Sequence, residues 1–141
     1  MRRLIVAGAI ATLGIAVLAV PASASFDHHF SVLSKTTSAH QAHHRFTFKD
    51  KLLDPQNRQN RVGRDHGVCK IRHNSVSCQA IVHLSGEIGG FGDIRVRGNL
   101  RRHDDRLNVT GGTDDFNAVG GKVLVHTLNR RVDRLHFDLV R

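Results

Sequence analysis

The chain has 141 residues, a length that suits one domain, and a formal net charge of +9. It contains no Trp and no Tyr, so its seven Phe residues must supply all the large aromatic side chains of a core. The sequence has no Gly-rich phosphate loop, no nucleophile elbow and no recognisable Ser/His/Asp spacing, which excludes the enzyme classes that depend on those motifs.

The first 24 residues have the three parts of a secretory signal peptide. Met1-Arg2-Arg3 is a positive start, Leu4 to Val20 is an unbroken apolar run, and Ala22-Ser23-Ala24 follows Pro21 as a small-residue cleavage site. The apolar run is near the lower length limit for a membrane anchor, which is the alternative interpretation. We therefore expect cleavage after Ala24, a secreted protein that begins at Ser25, and no stable membrane insertion.

Residues 25–44 are polar and rich in histidine, with no helical period. They are predicted to form a flexible arm or at most an edge strand, ahead of a β domain over residues 45–141. Because a flexible arm cannot hold converging ligands, no metal site is predicted there, and no cofactor is expected.

From Arg45 onward, apolar and polar residues alternate with period two between turns rich in Gly, Asn and Asp, as in an antiparallel all-β domain. The alternating apolar positions are Phe46 and Phe48, Val76 to Leu84, Ile94 and Val96, Leu107 and Val109, Val123 and Val125, and Leu135 to Leu139. The spacing of these strands fits either a sandwich or a closed barrel.

Cys69 and Cys78 are predicted to form a disulfide across a hairpin. If His73-Asn74 is a two-residue turn, Cys69 faces Cys78 at a distance that a disulfide can bridge. In that register both cysteines share a face with Ile71 and Val82. The alternative is a pair of free buried thiols.

Three stretches resemble the barrel superfamily of allene oxide cyclases and dirigent proteins. They are Val62-Gly63-Arg64-Asp65-His66-Gly67-Val68-Cys69, Ile94-Arg95-Val96-Arg97-Gly98, and Leu107-Asn108-Val109-Thr110-Gly111-Gly112-Thr113-Asp114-Asp115-Phe116, with Gly120-Gly121 after them. The resemblance covers roughly residues 45–141. It implies an eight-stranded antiparallel β-barrel, a homotrimer, and a turn in which Gly111, Gly112 and Thr113 reverse the chain so that Phe116 packs on the barrel end.

In function, the resemblance implies binding of a small apolar ligand. The cyclases of this superfamily bind an apolar epoxide, and the dirigent proteins steer the coupling of phenoxy radicals. Cys69 matches a pocket cysteine of the cyclases, and Asp50 lies where they have a polar amide. Residues 26–44 show no match to the segment that supplies their pocket carboxylate, so the cyclase activity does not transfer by motif.

Alternation selects the candidate site residues. Asp50 and Asp65 continue the inward phases of their strands toward the rim of the barrel and are candidates for catalysis. The alternative is that they are strand-end carboxylates, solvated or paired with Arg64 or Arg97. The apolar ligand-binding candidates each occupy the inward phase of a strand and are Phe46, Phe48, Ile71, Val82, Val96, Val123, Phe137 and Leu139.

Three functions remain open from sequence. The first is a dirigent- or cyclase-like barrel that guides a cyclisation, isomerisation or coupling of a small apolar ligand, in which case the protein is an isomerase if it is an enzyme at all. The second is a secreted binding module that attaches to anionic wall or membrane polymers. The third is a structural trimer with a filled barrel. Nucleic acid is not an expected partner, because no aromatic residues interleave Arg95, Arg97, Arg101, Arg102 and Arg106.

Overall fold

A computed structural model describes residues 27–73, 75–100 and 105–141 of the chain. Its eight strands are β1 (Asp27–Ala42), β2 (Arg45–Leu53), β3 (Arg61–Arg72), β4 (Ser75–Ser85), β5 (Phe91–Leu100), β6 (Arg106–Gly112), β7 (Gly120–Asn129) and β8 (Val132–Val140), with a 3₁₀ turn at Asp114–Phe116. Each strand pairs antiparallel with the next, and β8 pairs with β1, so the sheet closes into a barrel. The predicted eight-stranded antiparallel barrel is confirmed. The predicted signal peptide lies outside the described residues.

The segment predicted to be a flexible arm or at most an edge strand is instead the first strand of the barrel, paired on both sides. In β1, Phe30 and Val32 face Phe137 and Leu135 of β8, and the far half of the strand pairs with β2. Val32 is fully buried, and the Phe30 and Phe137 rings stack at 4.6 Å. The prediction failed because most residues of this segment are polar and lie on the outer face. The inward apolar positions are too few to give a clear alternating pattern. The barrel therefore begins at Asp27, not at residue 45.

The β3–β4 hairpin has the register that the cysteine spacing predicts. Cys69 faces Cys78 and Ile71 faces Val76, and the two cysteines form a disulfide with their Cα atoms 4.0 Å apart. Asn74, the second residue of the predicted turn, lies outside the described residues. The disulfide side chains are buried within the barrel, so Cys69 is not available as a free thiol.

The glycine-rich end of β6 and the turn that follows it pack Phe116 onto one end of the barrel, as predicted. Gly111 adopts φ +136°, which favours glycine. Gly112 does not have a positive φ. It is needed because a Cβ atom there would lie 2.6 Å from Phe116 Cβ, and the left-handed residue of the reversal is Asp114 with φ +52°. Phe116 is fully buried.

The two ends of the barrel differ in packing. The loops 54–60, 86–90 and 113–119 lie at the end that Phe116 covers, and the inward residues nearest that end are fully buried: Leu52, Val62, Leu84 and Leu139. The opposite end carries the β1–β2, β3–β4 and β7–β8 turns. The inward residues nearest it are only half-buried: Phe46, Phe48, Ile71, Val76, Leu100 and Val125. We call these the sealed end and the open end.

Candidate functional site

Two carboxylates meet inside the barrel between the sealed and open ends. Asp50 of β2 faces Asp65 of β3, one layer beyond the buried Leu52. The Ser34 hydroxyl of β1 lies 2.8 Å from Asp50 Oδ2 and 3.2 Å from Asp65 Oδ2. Only 5% of Asp65 is exposed, whereas Asp50 is half-buried. Alternation thus placed both carboxylates correctly in the interior, and the structure joins them in one pair.

Burial raises the pKa values of both carboxyl groups. Desolvation first, and then the negative charge of Asp50, together raise the pKa of Asp65 from 3.8 to about 7. Desolvation also raises the pKa of Asp50. The expected alternative, an ion pair with Arg64 or Arg97, is wrong. Both arginines are exposed on the outer face of the barrel, and no described cation pairs with either carboxylate.

The pair is arranged to hold one proton near neutral pH. The Ser34 hydroxyl has a single hydrogen, which it can donate to Asp50 Oδ2 at 2.8 Å or to Asp65 Oδ2 at 3.2 Å, so it cannot satisfy both carboxylates at once. The second oxygen of each carboxyl group, Asp50 Oδ1 and Asp65 Oδ1, is buried and has no hydrogen-bond partner among the described residues.

Sequence reasoning missed Ser34 and also Asp133, which faces Ser34 from β8 and whose charge raises the pKa of Asp65. Ser34 belongs to the segment predicted to be an arm. It has the same phase as Phe30 and Val32, and that short apolar alternation was the one signal that pointed to it.

The apolar candidates separate into two groups. Phe46, Phe48 and Ile71 are half-buried at the open end, whereas the others are buried core residues: Val82, Val96, Val123, Phe137 and Leu139. The Phe46 and Phe48 rings stack at 6.1 Å, and the Phe48 ring covers Gly67, where a Cβ atom would lie 2.5 Å from it. We call the half-buried apolar side chains of the open end the mouth, and the Phe46 and Phe48 rings lie side by side in it.

One group of possible metal-binding side chains occurs among the described residues, where Asp27, His29 and Asp138 converge at the β1–β8 pair. His29 Nε2 lies 2.7 Å from Asp27, and its Nδ1 lies 3.2 Å from Asp138. All three side chains are exposed, and they lie on the outer face, away from the carboxylate pair. No described helix is long and apolar enough to cross a membrane.

Comparisons with solved structures identify the fold. A pyocyanin demethylase matches with a TM-score of 0.63 and 20% identity over 79% of this chain and 98% of that chain. One pterocarpan synthase dirigent protein matches with a TM-score of 0.64 and 9% identity over 94% and 99% of the two chains. A second has a TM-score of 0.60 and 12% identity over 82% and 94%.

No family model matches the chain, and no curated protein matches its sequence. The likeness is therefore one of fold. The described chain has the eight-stranded antiparallel barrel fold of dirigent proteins.

Proposed function

We propose that the protein is exported, binds a small apolar ligand through the open end of the barrel, and moves a proton at the Asp50–Asp65 pair to guide an isomerisation or cyclisation. The observation that carries this proposal is the position of Asp65, a buried carboxyl with a pKa of about 7 beneath a half-buried apolar mouth. The disulfide and the lack of a membrane-spanning helix among the described residues are compatible with an extracellular protein.

Ligand affinity would come from the walls of the mouth. Burial of apolar surface contributes about 25 cal/mol per Å², and Phe46 and Phe48 offer large flat surfaces that are not yet fully covered. A few polar groups then fix the ligand's orientation, as in most small-molecule sites. Asp50 Oδ1 and Asp65 Oδ1 suit that role, because each is buried without a described partner.

The carboxyl pair provides both an acid and a base. Asp65 donates its proton to a ligand oxygen or nitrogen, and ionised Asp50 accepts a proton that the ligand loses elsewhere. The enzyme returns to its starting state when the proton passes back between the two carboxyls. The net reaction is an isomerisation or ring closure, and it consumes no cofactor. A pKa of about 7 suits Asp65 for this exchange near neutral pH.

Two fold neighbours are named as synthases and one as a demethylase. These names favour an enzyme over a structural barrel.

Titration with N-phenyl-1-naphthylamine, an apolar probe that fluoresces when it leaves water, tests the binding half of the proposal. Phe46→Ala is expected to weaken probe binding about tenfold, the equivalent of one lost aromatic contact. Leu124→Ala is the matched control, because Leu124 is 41% exposed and lies on the outer face of β7. Equal binding by both variants, or no binding by the wild type, would contradict the proposal.

A further inference from the structure

Two adjoining clefts lie on the outer face of β2 to β6, away from the carboxylate pair. One has a volume of about 720 Å³ and combines basic, polar and apolar side chains on its outer side: Ser38, Arg45, Thr47, Lys49, His66, Val68, Gln79, Ile81, Arg95, Arg97 and Thr110. The other has a volume of about 590 Å³ and is lined by Lys70, Arg72, Ser77, Arg97, Asn99, Asn108 and Thr110. Because Arg97 and Thr110 belong to both clefts, the two form one continuous surface, which we call the basic track.

The charge of the basic track has a single sign. Its six Lys and Arg side chains are all exposed, and no Asp or Glu lines either cleft. Among the described residues none of these cations forms an ion pair. The nearby carboxylate Asp93 lies outside both linings and contacts His83 at 2.6 Å.

The like charges of the basic track lower the stability of the fold. Arg45 and Lys70 face each other directly across β2 and β3 on the exposed side, and like charges in that position are destabilising. Arg64 and Lys51 form a second such pair to one side of the track. An anionic partner bound along this face would offset the repulsion. Packing of the barrel itself does not require the cations to lie together.

The uncharged side chains of the track indicate the kind of polyanion. Ser77, Gln79, Asn99, Asn108 and Thr110 supply hydroxyl and amide groups, which donate and accept hydrogen bonds and therefore suit sugar hydroxyls. The one aromatic residue in the linings is Phe48, whose ring lies over Gly67 on the inner wall. No Phe, Tyr or Trp ring lining the clefts points outward for stacking on nucleic-acid bases, and the His66 imidazole is the one ring on the outer side of the clefts.

The track also has the length for a linear polymer. From His66 to Arg72 on β3 the outer face extends about 20 Å at 3.3 Å per residue, a distance that spans several linked sugar rings. Each exposed ionic contact is weak by itself, and affinity grows when several are made by one chain.

We propose that the basic track binds a linear acidic polysaccharide, with its carboxylate or sulfate groups at the six cations and its hydroxyls at the intervening amide and hydroxyl side chains. This attachment would hold the barrel on an extracellular acidic polymer while the open end remains free.

The test measures binding of the full chain, processed as it is exported, to heparin oligosaccharide, to neutral dextran and to a duplex DNA oligonucleotide. Lys70→Gln/Arg97→Gln is expected to weaken heparin binding about tenfold, the combined effect of two exposed ionic contacts. The matched control is Lys35→Gln/Arg134→Gln, which removes the same charge from exposed positions on β1 and β8, away from the track. Thermal unfolding of each variant checks that the barrel remains folded.

Heparin binding that weakens with salt, is lost only in the track variant and exceeds binding to DNA and dextran would support the proposal. Equal losses in the track and control variants would overturn it, because general attraction to net charge would then explain the binding. Equal or tighter binding to DNA would also overturn it, in favour of a nucleic-acid surface.

Discussion

At the scale of single residues, the sequence predicts which side chains point inward better than it predicts their partners. Period two predicts that Asp50 and Asp65 point inward near the barrel ends, and the structure has both on the inner face, as a pair between the two ends. Their direct opposition could not be derived, because the register of β2 against β3 depends on an irregular loop and on a register shift at Leu52/Leu53. Ser34 was missed because its strand was not recognised.

The raised pKa of Asp65 predicts a stability that falls as pH rises. Between pH about 4 and about 7 the folded protein keeps a proton that the unfolded chain has lost, so the free energy of unfolding decreases with pH across this window. The side chain introduced by Asp65→Asn cannot ionise, so this variant should lose less stability than the wild type across the same window. The difference between the two losses should be a few kcal/mol at most. Urea unfolding at both ends of the window measures the difference.

Asp105→Asn is the control for this experiment, because Asp105 is exposed at the start of β6. It should show the same pH dependence as the wild type. Parallel pH curves for Asp65→Asn and the wild type would show that the carboxylate pair is not buried in the way the structure describes.

At the scale of strands and hairpins, local pairing was predictable and distant pairing was not. The β3–β4 register followed from a short turn, from inward alternation and from the cysteine spacing, three signals within a few residues of each other. The pairing of β1 with β8 joins Asp27 to Val140, and nothing in the polar sequence of β1 indicates that distant partner. Closure of the barrel came from the family resemblance alone.

The hairpin disulfide should contribute about 2–3 kcal/mol to the free energy of unfolding, since it closes a short loop in the unfolded chain. Reducing the wild type, or replacing both cysteines in Cys69→Ala/Cys78→Ala, should lower the urea midpoint by a corresponding amount. The double variant should not respond to reductant, which makes it its own control. If thiol counting confirms that the wild type is reduced and its stability is nevertheless unchanged, this prediction is wrong.

At the scale of the whole molecule, the barrel divides its tasks between two ends and an outer face. Phe116, Phe30 and Leu139 seal one end, where the glycine turn packs against the strands. The other end keeps apolar side chains half-buried above the carboxylate pair. The sequence indicated the sealed end through the turn motif. It could not indicate the open end, because exposure there depends on the stagger of eight strands and not on any one of them.

This division predicts that stability and ligand binding can be altered separately. Phe116→Ala removes a fully buried ring that packs 6.4 Å from the Phe30 ring at the sealed end, and should lower the free energy of unfolding by about 3–5 kcal/mol. Its affinity for N-phenyl-1-naphthylamine, measured where the variant remains folded, should stay within about twofold of the wild type, because the mouth is at the opposite end.

Phe46→Ala should show the reverse pattern, with weaker probe binding and a smaller loss of stability, since Phe46 is only half-buried. Urea unfolding and probe titration of both variants give the four values needed. Loss of probe binding in Phe116→Ala without a matching loss in Phe46→Ala would place the ligand at the sealed end and overturn the assignment of the mouth.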